Sequence, residues 1–262
     1  MCLVALAKNL NGFGGKWSAN AMSTTLLAVL VVIPTAAVIV ALFLILWHEC
    51  DSARQSYVAI VSGIVLVVWA VAAATLAYRG YLRPPDAQSA PPIGIVLAVV
   101  FLGMFLALMF SSTLRSLLTN QRNLIWLNVW RLEGILFLIL MANGQAPALW
   151  ALPAGIGDII IGVTAPWVAR AVNTASGRRR AIIFNFLGLL DLVVAVTLGI
   201  TTNPGRLHLF HTTPAPELLT DFPMALVPAF LVPLAFAVHI VSLWQIFGGK
   251  WSHSVNDLRT AK

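Results

Sequence analysis

Charge is what this sequence has least of. Only 10% of its 262 residues are Asp, Glu, Lys or Arg, where a soluble domain carries about 25%. So few charges cannot cover a water-facing surface, which excludes an ordinary soluble domain. The two cysteines, Cys2 and Cys50, stand far apart in unlike contexts. They exclude a disulfide framework and a cysteine zinc site. The sequence also has no P-loop, nucleophile elbow, HExxH helix or dinucleotide fingerprint. An enzyme is therefore the least supported class, and nothing asks for a cofactor. The last apolar run contains no lysine, so a retinal Schiff base is excluded. Only His239 stands plainly inside an apolar run, short of the paired histidines an intramembrane haem needs. The formal charge of +7 would suggest nucleic acid in a soluble chain. Here the cations sit in short loops and form neither a basic stripe nor a recognition module, so nucleic-acid binding is set aside.

What the sequence does have is hydrocarbon. It is 60% hydrophobic, with a mean hydropathy of +0.90. A bilayer span needs about 20 apolar residues, and seven runs qualify: 24–47, 58–78, 92–112, 124–142, 147–168, 181–202 and 223–247. A lipid-exposed backbone must satisfy its own hydrogen bonds, so the runs are expected to be helices. Barrel strands would alternate apolar with polar residues, and these runs do not. The expected fold is all-α, one bundle of seven transmembrane helices over residues 22–250. Residues 1–21 read as an N-terminal extension, with Met22 as an alternative start, and residues 251–262 as a short cytoplasmic tail. FGGKWS occurs at 13–18 and again at 247–252. Both copies flank a terminal run, where tryptophan beside lysine suits a membrane interface. With the N-terminus outside, ten Lys and Arg fall in the inside loops, among them Arg178, Arg179 and Arg180, against five outside. That excess predicts an N-out, C-in orientation.

The few charges within the runs are concentrated. Arg131 and Glu133 lie in the fourth, Asp158 in the fifth, Asp191 in the sixth, and His239 in the seventh with Gln245 near its end. A mid-bilayer charge costs from roughly 3 kcal/mol upward, so each is a functional candidate. At α-helical spacing Arg131 and Glu133 point to roughly opposite sides of their helix. Asn128 shares the Arg131 face. Glu133 shares a face with Trp126, Trp130 and Phe137, an apolar setting that favours a neutral carboxyl. Asp158 lies on the stripe Ala154, Asp158, Gly162, Pro166, and Asp191 on Gly188, Asp191, Ala195, Gly199. Small-residue stripes pack against other helices rather than lipid, so both carboxylates are expected inside the bundle. GIGDIIIGVT (155–164) also aligns with GLLDLVVAVT (188–197). In consecutive antiparallel spans this reads either as an inverted repeat around a midplane site or as coincidence of simple composition. Pro153, Gly155 and Gly157 are candidates for a helix break beside Asp158, and Pro228 and Pro233 for kinks in the last run.

Three acids face one arginine, and a charged His239 would add at most one more positive charge. A bound proton or cation must therefore balance the core. Arg131 is expected to pair with Asp158 or Asp191. Glu133 and His239 are expected as neighbours of a ligand or proton site made by the two aspartates. The competing reading is structural: a buried ion pair that fixes helix register, with the other acids protonated and bonded to carbonyls. A water-accessible cavity reaching the aspartates would favour transport, and a dry core the structural reading. In the long loop 203–222, His208 and His211 stand three apart near Glu217 and Asp221, a weak candidate metal site.

The segments Arg131-Leu132-Glu133-Gly134, Pro153-Ala154-Gly155-Ile156-Gly157-Asp158 and Leu190-Asp191-Leu192 resemble a group of uncharacterised bacterial multi-pass membrane proteins. The resemblance covers the fourth to seventh runs. It implies a bacterial inner-membrane location and carries no activity, so no residue's role transfers from it. The sequence reading is an integral membrane protein, either a small proton- or cation-coupled transporter or permease with a midplane acidic site, or a non-transporting sensor or partner-binding subunit. Its expected partners are the lipid bilayer and a small ion or molecule.

Overall fold

The structure, a computed structural model, describes residues 22–85, 89 and 92–248. The N-terminal extension, the C-terminal tail and most of both FGGKWS copies lie outside the described residues. Within them the chain forms no strand and seven helices long and apolar enough to cross a membrane. The protein is thus an all-α polytopic bundle. The helices are α1 Thr24–His48, α2 Ala53–Tyr78, α3 Pro92–Phe110, α4 Gln121–Ala142, α5 Ala148–Ala171, α6 Gly177–Thr202 and α7 Val227–Phe247. A short helix, Ser112–Leu117, links α3 to α4.

Several helices open on polar caps, and α2, α4 and α6 start before their apolar runs. The Ser23 hydroxyl accepts from the Leu26 amide and Ser52 from the Gln55 amide. Gln55 Oε1 in turn accepts from the Asp51 amide at 2.8 Å. Such side chains satisfy amides that the first turn leaves open. α4 likewise opens on Asn120, which accepts from the Asn123 amide. α6 begins at Gly177, so Arg178, Arg179 and Arg180 are its first turn rather than a loop.

α5 is the packing hub, with its most extensive contacts to α4 and α6. α7 is the most buried span and α3 the least. One end of the bundle carries the connections 79–91, 143–147 and 203–226, and is called here the long-loop end. There Arg83 holds the Asp221 carboxylate with two bonds, at 2.5 and 2.8 Å. That bidentate contact raises the Arg83 pKa further above its ordinary value.

The break expected in α5 is absent, while α7 is irregular at Pro228, where a kink is expected. α5 is a continuous α-helix through Pro153 and Pro166. α4 winds as a 3₁₀-helix over Leu127–Glu133, which no expectation covered, and α7 opens with a π-turn, Val227–Leu231, that contains Pro228. A 3₁₀ stretch usually lasts 3–4 residues, so seven is long, and it carries Asn128, Arg131 and Glu133.

Candidate functional site

Three residues per turn rearrange the centre of α4. Positions three apart eclipse one another in a 3₁₀-helix. Asn128, Arg131 and Gly134 therefore form one ridge, and Leu127, Trp130 and Glu133 the next, about 120° away. Arg131 and Glu133 are not opposed, as α-helical spacing predicts. Phe137, beyond the 3₁₀ stretch, packs on Trp150 with ring centroids 4.9 Å apart. Unlike Trp126 and Trp130, it does not line the cavity that Glu133 lines.

Arg131 is completely buried. Its Nε donates to Asp158 Oδ1 at 2.5 Å, and a terminal nitrogen pairs with Asp191 Oδ2. The guanidinium thus serves both aspartates rather than one. Its other terminal nitrogen reaches His239 Nε2 at 3.2 Å and the Gly188 carbonyl at 3.4 Å. A guanidinium only donates. His239 Nε2 must therefore accept, which leaves the ring proton on Nδ1. That nitrogen faces Asn185 Oδ1 at 2.8 Å and donates to it.

From His239 the bonds continue with one polarity. Asn185 Nδ2 donates to Ser242 Oγ at 2.8 Å. Ser242 Oγ donates to Gln121 Oε1 at 2.7 Å. Gln121 Nε2 donates to Gln245 Oε1 at 2.8 Å, and Gln245 donates to the Leu118 carbonyl. The chain runs from mid-span to the end opposite the long loops and ties α4, α6 and α7 together. Each of these side chains is buried. Of the neutral members only Gln245 drew notice in the sequence. Asn185, Ser242 and Gln121 were missed, although His239, Ser242 and Gln245 stand three apart and so share a face of α7.

Glycines make room for the charges. A Cβ on Gly134 would lie 2.6 Å from Asp158 Cβ. One on Gly157 would collide with the Asp191 carboxylate, and one on Gly188 with the His239 ring. Asp158, Asp191 and His239 are thus each seated on a glycine of a neighbouring helix.

A cavity of about 70 Å³ leads from Asp158 toward the long-loop end. Trp130 and Phe137 line it, and Trp150, in the first turn of α5, lines it with Asn203 and Thr220 toward that end. Asp191 is not in its wall. Glu133 makes no bond to the cluster: both of its carboxyl oxygens are buried without a hydrogen-bond partner. The Asn128 side-chain oxygen is also unpartnered, its amide donating to Leu124 and Ile125 carbonyls.

His208 and His211 do come together, ring centroids 4.2 Å apart and stacked. Asp221 is committed to Arg83. Among the described residues no three His, Cys, Asp or Glu side chains assemble into a group able to hold a metal.

Seven apolar spans around a buried, hydrogen-bonded charge cluster define a multi-pass integral membrane protein. The chain belongs to the family described as Domain of unknown function (DUF8737), whose model matches residues 90–247, more than half of its length. The match takes in α3 to α7 and every member of the Arg131 network. It therefore starts one span earlier than the resemblance read in the sequence. No curated protein and no solved structure matches the chain.

Proposed function

We propose that the protein is a small proton- or cation-coupled transporter of a bacterial inner membrane, with Asp158, Asp191 and Arg131 as its midplane site and His239 behind them. The observation that carries this reading is the charge count of the cluster. One guanidinium serves two carboxylates, and its remaining contacts go to a neutral imidazole nitrogen and a carbonyl. With both carboxylates ionised, one negative charge is left over inside the bundle. An unpaired buried charge is prohibitive, so a proton or monovalent cation balances it. Taking up and releasing that cation is the elementary step of a coupled transporter.

The cavity at Asp158 supports the reading. A water molecule needs roughly 10–15 Å³ of such space, so about 70 Å³ admits a few waters or a small ligand. In the N-out orientation this route opens to the outside. The polar chain toward the other end contains three amide side chains, which do not relay protons, so it holds the site rather than conducting to it.

The test is uptake into proteoliposomes under an imposed pH or cation gradient, across a panel of candidate substrates. Asp158→Asn and Asp191→Asn keep side-chain size and remove the charge. Both are expected to insert normally, keep their thermal transition and lose gradient-driven uptake. Full pH-dependent uptake by both variants would make the carboxylates structural. The complete burial of Arg131 favours one other reading, a sensor or partner-binding subunit with an ion-paired core. It gains if the wild-type protein moves nothing under any gradient while a ligand or partner still shifts its melting temperature.

A further inference from the structure

Glu133 is the one acid of the core that the Arg131 cluster does not use. It lines a separate cavity of about 520 Å³ between α1 and α4. The rest of that wall is apolar, with Leu30, Pro34 and Ala37 on α1 and Trp126 and Trp130 on α4, and no basic residue lines it. Leu30, Ile135 and Ile139 on its rim are exposed. In a bilayer those side chains meet lipid, so the groove opens sideways to the acyl chains rather than to water.

The local structure builds an acceptor site there. The 3₁₀ turn places Trp130 and Glu133 on one ridge, so the two side chains share a wall, with the carboxyl oxygens buried in that wall. Pro34 has no amide hydrogen and cannot bond the carbonyl of Leu30, which lines the same groove. The Trp130 indole offers a ring face that attracts cations. Arg170 already lies over Trp126, 5.9 Å from the ring centroid, but no protein cation answers the carboxyl, the carbonyl without its helical donor or the Trp130 indole.

We infer that this groove binds a lipophilic organic cation that enters from the bilayer: a molecule with one positive charge and a hydrocarbon body. Glu133 gives up its proton to bulk water as the ligand binds, the ligand's charge compensates the carboxylate, and its body fills the apolar wall. The volume falls within the range of small-molecule sites, about 300–1,000 Å³. Trp130 also lines the Asp158 cavity, but neither aspartate lines the groove. The site is therefore distinct from the proposed transport site and stands without it.

The experiment uses the full-length protein in lipid nanodiscs, with radiolabelled dodecyltrimethylammonium as probe and empty nanodiscs to subtract partitioning. Saturable binding is expected. Glu133→Gln should weaken it by about tenfold or more, the loss of one charge-assisted contact. Ala37→Phe, which fills the groove without touching the carboxyl, should weaken it as much and serves if Glu133→Gln folds poorly. Asp158→Asn should leave binding unchanged, which separates this site from the transport reading. Unchanged affinity in both Glu133→Gln and Ala37→Phe would overturn the inference. So would equal binding of the neutral isostere, with a quaternary carbon in place of nitrogen, since the groove would then be an ordinary lipid seat. Loss of binding in Asp158→Asn with Glu133→Gln intact would move the cation to the aspartate pair and overturn it as well.

Discussion

Arg131 carries more of the core than any other side chain, because it is the positive charge that two buried carboxylates share. Removing one partner of a buried ion pair costs about 3–5 kcal/mol, since the other is left uncompensated. Arg131→Ala is therefore expected to lower unfolding stability in detergent by about that amount. Adding Asp191→Asn should recover part of the loss, because the double variant leaves one buried carboxylate fewer without its partner. A double-mutant cycle that comes out additive would mean that the pair does not interact. Lysine is no substitute, for a point charge cannot reach two carboxylates and a ring nitrogen in one fork. Arg131, Asp158, Asp191 and His239 were legible in the sequence because a charge within 20 apolar residues is conspicuous. Asn185, Ser242 and Gln121 were not, because a neutral polar residue in a membrane helix often bonds only its own backbone. Thr35 does so, donating to the Val31 carbonyl at 2.8 Å. Composition cannot tell such a residue from one that joins a network.

The close approach of α4 and α5 rests on glycine, and this is testable at the scale of the element. A methyl group at Gly134 would meet Asp158 Cβ at 2.6 Å and the Gly155 carbonyl at 2.7 Å. Backbone cannot yield as a side-chain tip can, so Gly134→Ala should cost about 1–3 kcal/mol as overpacking. Gly103 in α3 is the control. Nothing lies within 4 Å of its missing Cβ, and alanine is the better helix former by about 1 kcal/mol. Thermal unfolding of the two variants should move in opposite directions, or at least leave Gly103→Ala unharmed. If both are equally benign, the tight α4–α5 contact is not what fixes Asp158. The small-residue stripes announced the inward faces of α5 and α6 correctly. The expected break at Pro153 did not materialise, since neighbouring helices can re-satisfy the groups a membrane proline frees. The π-turn of α7 contains Pro228, one of the prolines at which a kink is expected, but the longer irregular stretch, Leu127–Glu133, contains neither glycine nor proline. No local signal marks it. We attribute it to the packing of the Arg131 ridge between α5 and α6, which no single span's sequence displays.

At the scale of the whole molecule the number of spans was fully legible, because hydrocarbon thickness fixes the length of every run. Orientation is different, since the same bundle can be inserted either way and only the loop charges choose. At the end opposite the long loops, several of those charges also have structural partners. Arg115 donates to the Leu108 and Met109 carbonyls, both at 2.6 Å, at the end of α3. It also lies over the Trp244 ring, and Arg170 lies over Trp126. Arg178 donates to the Ile246 carbonyl at 3.3 Å. Arginines with tryptophans at one level are the pattern of a membrane interface. Arg179 and Arg180 are exposed beside them. The excess of Lys and Arg at this end predicts that it faces the cytoplasm, with the long loops outside. A reporter fused after Lys262 should then give a cytoplasmic signal, and one inserted in the 203–222 loop a periplasmic signal. Replacing Arg179 and Arg180 by Gln should weaken the bias without disturbing the fold, since neither packs in the core. A periplasmic signal from the C-terminal fusion in the unmodified protein would invert the topology. The Asp158 cavity would then open to the cytoplasm, and the proposed uptake route would become an export route.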